Sequence, residues 1–351
     1  SLVVCVATMI HSFKHSIVVW ITNTVRADIL IAGGSGESAT TNVSMPMDFA
    51  DSLRTIPGVA SVNSFRMIQS RFRGEGIAIG SLGLVDWLAS NPLVIRSRME
   101  GPPGPDWAVV SENFADQFGV AAGDSLTLST PSGPLGLRVG AVILDYTSDS
   151  GTVFMDREAY RGAWGDDLVD TFDLYLEPGA SIGGARTAID DRFGATQRLF
   201  VSGNGEMRRR ILTSVDNTFA VVYALEVIAL AIAVLGIVNT LVASILDRRR
   251  ELGLLRAIGA TRRQIGRLFI LEAASMGVVG VLLGLGAGTL LSLLLVHVIQ
   301  FQSTGWRFLY QFPGLMISAT CLVTLVAAAL AGWYPARIGA TTWGAEALHY
   351  E

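Results

Sequence analysis

The sequence predicts an α-helical membrane bundle of four spans, the first of them truncated, with a large extracytoplasmic α+β domain inserted between spans one and two. Three observations predict it. Half of the 351 residues are apolar and only 16% are charged, against roughly 25% in soluble domains. The apolar excess is gathered into runs long enough to cross a bilayer, which takes about 20 residues. Charge is also segregated: 27–207 holds 23 acidic and 12 basic residues, a net of −11, whereas 247–267 holds seven arginines against Asp247 and Glu251, a net of +5.

Ser1 to Ile10 is apolar but too short to span. It reads as the outer half of a helix that began earlier in a longer polypeptide, so 1–26 is taken as the end of span one and an elbow. A small-polar loop follows at 32–44. Asp48 to Ile56 is a short amphipathic helix stopped by Pro57-Gly58. Alternating stretches at 59–68, 76–85, 107–110, 125–130, 135–144, 152–155 and 171–176 are strands, with turn signals at Gly123-Asp124 and Pro131-Ser132-Gly133. Helices at 111–118, 156–164 and 185–193 open on Ser111, Asp156 and Gly184 as caps. The whole of 27–207 is long enough for a core of its own.

Arg208-Arg209-Arg210 open a stalk that leads into span two, 208–246. In its apolar run Thr218 to Leu246, Glu226 is the one charge, and Val227 to Leu246 suffices to cross, leaving Glu226 at the interface. The loop 247–267 is cytoplasmic by the positive-inside rule. Span three is 268–301, a short extracytoplasmic loop is 302–314, span four is 315–334 and the tail is 335–351. Trp306, Phe308, Tyr310 and Phe312 before span four, and Trp333 and Tyr334 after it, read as an interfacial aromatic belt. Gly280, Gly284 and Gly288, with Gly277 nearby, form a ladder that lets a neighbouring helix approach closely.

Absences narrow the chemistry. Lys14 is the single lysine and has no glycine run before it, so the chain has no Walker A loop for ATP. Between 16 and 296 there is no histidine, which removes a Ser-His-Asp or Cys-His hydrolase from the outer domain. Gly33-Gly34-Ser35-Gly36-Glu37 fails the nucleophile-elbow pattern at its last position. Asp166-Asp167 and Asp190-Asp191 read as solvated faces rather than catalytic pairs. Cys5 and Cys321 have no ligand spacing, so neither a disulfide framework nor a zinc site is expected. The acidic domain disfavours nucleic acid. No catalytic, cofactor or metal residue is assigned.

The loop carries more than topogenic arginine. Leu252, Leu255 and Ile258 recur at helical spacing with Glu251 and Arg256 at their rim, then Ile265 and Leu268 follow. Gly259-Ala260-Thr261 breaks the stretch into two short helices, with Thr261 as N-cap of the second. An amphipathic helix of this kind suits docking into a partner's groove.

The string RRRELGLLRAIGATRRQIGRLFILEA resembles the cytoplasmic loop of FtsX/MacB/LolC-type ABC transporter permeases. Ser12 to Ile29 is similar to that family's elbow, Ile56 to Val62 and Val109 to Asp124 to phrases of its extracytoplasmic domain, and Tyr334 to Glu351 to its C-terminal signature. Trp343-Gly344 departs from the Asp-Pro common there. The resemblance implies a unit that pairs with a separate cytoplasmic ATPase, a dimer holding ATP and magnesium, and with a second permease unit. Arg249, Arg250, Glu251, Leu252, Gly253, Leu255, Arg256, Ile258 and Gly259 would then couple ATPase closure to the outer domain. The cargo expected is a lipid, lipoprotein or peptide, and the place the bacterial cytoplasmic membrane. The alternative it leaves open is a non-transporting scaffold that regulates a cell-wall enzyme.

Overall fold

The computed structural model describes residues 1–24, 26–34, 43–194, 199–248, 251, 254–255 and 258–341; of 226, 230, 241, 245, 262 and 331–341 the backbone alone is described. The chain divides into two compact units, one of residues 13–215 and 297–309 and the other of 1–12, 216–296 and 310–351.

Helix α1 (Leu2–Thr24) opens the chain. The apolar start and the expected elbow are thus one uninterrupted helix, which is long and apolar enough to cross a membrane. The α+β unit then runs through β1 (Ile29–Gly33), β2 (Met45–Pro46), α2 (Phe49–Arg54), β3 (Val59–Phe72), β4 (Glu75–Leu82), α3 (Leu84–Ser90), β5 (Ile95–Arg98), β6 (Trp107–Ser111), α4 (Glu112–Phe118), β7 (Ser125–Thr130), β8 (Gly133–Ile143), β9 (Thr152–Asp156), α5 (Arg157–Trp164), β10 (Leu168–Val169), β11 (Thr171–Leu176), α6 (Ile182–Phe193) and β12 (Leu199–Gly203).

Nine strands follow the order β12-β1-β11-β3-β4-β9-β6-β8-β5, with β7 paired to β8. Strand β3 joins the halves: its first residues pair with β11 and its last with β4. The β3–β4 hairpin turns on Arg73-Gly74, both at positive φ, 51° and 90°, the backbone that matches the twist of the strands it joins. Each half has its own core. Phe49, Leu53, Ile29, Phe172 and Ile189 fill one under α2 and α6. Ile77, Ile79, Val110, Phe114 and Tyr160 fill the other under α4 and α5. On the opposite face Trp107 lies across Gly140, where a Cβ would run into the ring.

Several expectations are corrected here. Ala32 and Gly33 belong to β1 rather than to a loop, because Ile29, Ile31 and Ala32 are buried against β11 and β12; residues 35–42 of that loop lie outside the described residues. The strand expected over 76–85 ends at Leu82, and Leu84–Ser90 is helical with Leu84 in the core. Helix α6 is capped by Ser181, whose Oγ accepts the Gly184 N–H at 3.3 Å, not by Gly184. Ser111 precedes α4 but spends its Oγ on the Thr152 N–H at 2.8 Å, whereas Asp156 caps α5 as expected, accepting from Glu158.

Helix α7 (Asn204–Asp247) takes in both the stalk and the predicted second span as one 44-residue helix. Helix α8 (Arg262–Leu294) continues through a π turn (Leu295–Ile299) into α9 (Gln300–Thr304). Helix α10 (Gly314–Thr341) runs on past the expected stop at Tyr334-Pro335; in an apolar helix a proline forfeits one hydrogen bond without ending it. Among the described residues three helices are long and apolar enough to cross a membrane, and Gly314–Leu330 is a shorter apolar stretch.

Candidate coupling loop and domain strap

Glu251, Leu254 and Leu255 are helical and solvent-exposed after the end of α7. The chain then turns. The Ile258 N–H donates to Leu254 O at 3.1 Å and the Ala260 N–H to Leu255 O at 2.9 Å, and Gly259 sits at φ +102°, a conformation costly to any residue with a Cβ. Thr261 then closes a capping box with Gln264: each side chain takes the other's backbone N–H, at 3.3 and 2.8 Å. The second helix is α8 itself rather than a separate short one. Ile265 and Phe269 bury together against Ala260, while Leu268, expected beside Ile265, is exposed, because a helix aligns i with i+4 better than with i+3 at this contact.

This anchored turn presents Leu254 (66% exposed), Leu255 (39%) and Ile258 (80%) to solvent. Leu254 was absent from the expected face; its i,i+4 relation to Ile258 is the signal that could have found it. Arg249, Arg250, Leu252, Gly253 and Arg256 lie outside the described residues, as does the tail 342–351. Arg248 faces Glu272 of α8 at 3.9 Å.

The glycine ladder serves two partners rather than one. A Cβ on Gly277 would stand 2.8 Å from the Ala328 Cβ of α10, and one on Gly288 would stand 2.7 Å from the Val4 Cβ of α1. A Cβ on Gly284 would stand 3.1 Å from the Ser1 nitrogen, just before α1. Gly280 meets nothing within 4 Å and opens onto an apolar cavity of about 750 Å³ whose lining includes Tyr223, Val227, Met276, Thr320 and Thr324.

In the α+β unit neither carboxylate pair is an open acid pair. Arg66 holds Asp166 at 2.9 Å and Asp170 at 2.6 Å, and the Tyr160 hydroxyl donates to Asp166 at 2.7 Å. Burial pushes the Asp166 carboxyl up, but Tyr160, the Leu168 N–H and Arg66 together draw it below the ordinary aspartate range. Asp167 pairs with Arg161, and Asp190 lies 4.0 Å from Arg186. Among the described residues no group of three His, Cys, Asp or Glu is placed to hold a metal.

Two of the aromatics expected in a belt before α10, Trp306 and Phe308, pack on the α+β unit instead. Residues 305–309 lie as a strap on the α+β unit. Trp306 donates Nε1–H to Ser148 O at 3.1 Å, and Tyr146 donates its hydroxyl to Arg307 O at 2.7 Å. Phe308 meets Phe13 edge-on, centroids 5.1 Å apart. Arg307 reaches Asp116 at 3.0 Å and Glu112 at 3.6 Å. Hydrophobicity alone does not distinguish an aromatic that faces lipid from one that faces protein.

Residues 1–192 match the model of the MacB-like periplasmic core domain, and residues 223–342 match that of the FtsX-like permease C-terminal region. The chain belongs to the MacB/FtsX-type ABC transporter permeases. An ABC transporter permease protein of Mycobacterium tuberculosis is 29% identical over 371 residues, covering 97% of this chain and 41% of the relative. The macrolide export ATP-binding/permease protein MacB of Bdellovibrio bacteriovorus is 29% identical over 54% of this chain and 29% of the relative. This permease chain thus spans less than half the length of either. The periplasmic region of MacB from Actinobacillus actinomycetemcomitans aligns with 54% of the chain and 95% of that region, at 11% identity and a TM-score of 0.42.

Proposed function

We propose that this permease couples ATP hydrolysis by a partner ATP-binding subunit, which holds ATP and magnesium, to movement of its α+β domain. Its cargo is a lipid, lipoprotein or peptide handled at the outer face of a bacterial cytoplasmic membrane, and it works with a second permease unit. The observation that carries the reading is the exposed Leu254, Leu255 and Ile258 on a turn held by the Thr261 capping box. Leaving large apolar side chains in water costs roughly 1.5–3 kcal/mol each, and a groove on the ATPase removes that cost. The arginine content of the loop supports a cytoplasmic place for this turn.

Leu255→Asp tests it. The change lies outside every buried cluster, so expression and membrane insertion should match the wild type. ATPase co-purification and cargo-stimulated turnover should both fall by an order of magnitude or more, since burying an unpaired carboxylate costs several kcal/mol. If both stay at wild-type levels at equal expression, the loop is only a topogenic turn and the coupling assignment fails.

A further inference from the structure

The loop 144–151 between β8 and β9 is the meeting point of the α+β unit, the end of α1 and the strap. Asp145 lies at its centre, 3% exposed. Its Oδ1 accepts two hydrogen bonds, from Trp20 Nε1 of α1 at 3.1 Å and from Thr147 Oγ1 at 2.6 Å. Its Oδ2 is buried with no partner, and so is the Thr152 hydroxyl, which lies near enough to act on the carboxyl. The next residue, Tyr146, carries the strap: Trp20, Trp306 and Phe308 all pack on its ring, at 6.2, 5.5 and 5.7 Å. The Leu309 N–H closes the junction on Ser16 Oγ of α1 at 2.8 Å.

The charged and titratable groups around this centre are Tyr146 and, exposed at its rim, Asp149 in the loop, Glu112 and Asp116 on α4, Arg96 on β5 and Arg307 in the strap. Both arginines are engaged by Glu112 and Asp116, and no cation pairs with Asp145 among the described residues. An ionised carboxylate in such a place is expensive. A neutral acid fits it: one oxygen accepts twice, and the other gives its proton to the idle threonine oxygen. We propose that Asp145 is held as the neutral acid, donating to Thr152 Oγ1, and that loss of this proton releases the strap and the Trp20 end of α1 from the 144–151 loop, making the junction a proton-operated latch.

Burial pushes the Asp145 carboxyl up, and the hydrogen bonds from Thr147 and Trp20, with the Thr152 hydroxyl nearby, only partly offset it. The latch therefore tightens on acidification and loosens as pH rises. Glu112 is also pushed up by burial, against Arg96 and Arg307, but its deprotonation strengthens the Arg307 tie. Its effect on the strap has the opposite sign.

Amide hydrogen exchange of the full chain in lipid nanodiscs, between about pH 5 and 8, reads the strap apart from the rest of the sheet. Rates are referred to those of unstructured peptide at the same pH. Protection of 305–309 in the wild type should fall about tenfold per pH unit over the range in which the latched carboxyl keeps its proton and the released one has lost it. Asp145→Asn keeps a donor for Thr152 and carries no charge, so its strap should stay protected at every pH. Protection that is flat or rises with pH in the wild type overturns the proposal by itself, whether or not the variant folds. The same falling slope in Asp145→Asn, or a strap unprotected in it throughout, overturns it too, because the carboxyl would then be ionised or irrelevant.

Discussion

Two aspartates of the α+β unit show how place decides protonation. Asp166 has a guanidinium, a phenol and an N–H to lean on and stays ionised. Among the described residues Asp173 has none of these. It sits on β11 between Phe172 and Leu174, which fill the core, so strand alternation turns it to the other face, with Leu30 and Asn63 opposite it on β1 and β3. Burial pushes its carboxyl up to about 6. A raised acid contributes stability that is whole below its ordinary value of 3.8 and is lost as pH climbs through about 6. Asp173→Asn should therefore melt with the wild type near about pH 4 and above it near about pH 7, and the difference between the two curves cancels the opposite trend of Asp166. Equal melting temperatures at both values would mean that Asp173 finds a partner when it ionises.

At the scale of helices and strands, the glycines of α8 separate packing from tolerance. Gly277→Val should destabilise the contact of α8 with α10 by about 1–3 kcal/mol, the usual cost of overpacking, since its Cβ would meet Ala328 at 2.8 Å. Gly280→Val, three residues on and facing the cavity, should be nearly neutral. Thermal melting in detergent, with the two variants side by side, checks this, and an equal loss for both would show that the ladder packs as a single face. The four-residue period was legible in the sequence; the division of its glycines between α1 and α10 was not, because spacing says which residues share a face and nothing of who stands opposite. The same limit explains the strands. Those with clean alternation, β3, β4 and β7 to β9, were legible to within a few residues. The short edge pieces β2, β5 and β10 were not, since two to four residues make no period. Trp306 and Phe308 read as lipid-facing for the same reason: their partners Tyr146 and Phe13 are more than 150 residues away along the chain.

For the molecule as a whole, the legible quantity is the sorting of charge. A segment of net −11 and a loop of net +5 are joined by α7, whose apolar side chains, Val221 and Leu235 among them, are exposed, as on a helix that faces hydrocarbon. Arginine-rich short loops are retained on the cytoplasmic side of bacterial membranes, so the expected topology has 247–267 inside and 27–207 outside. Two single cysteines decide it, in a background with Cys5 and Cys321 changed to alanine. Ser132 lies in the exposed turn between β7 and β8, and Thr261 is exposed at the cap of α8, so both thiols would be reachable in a folded chain. A membrane-impermeant maleimide should label Ser132→Cys in intact cells and Thr261→Cys only once the membrane is opened. Labelling of Thr261→Cys from outside would invert the topology, and with it the coupling role of Leu255, because a turn on that side could never meet a cytoplasmic ATPase.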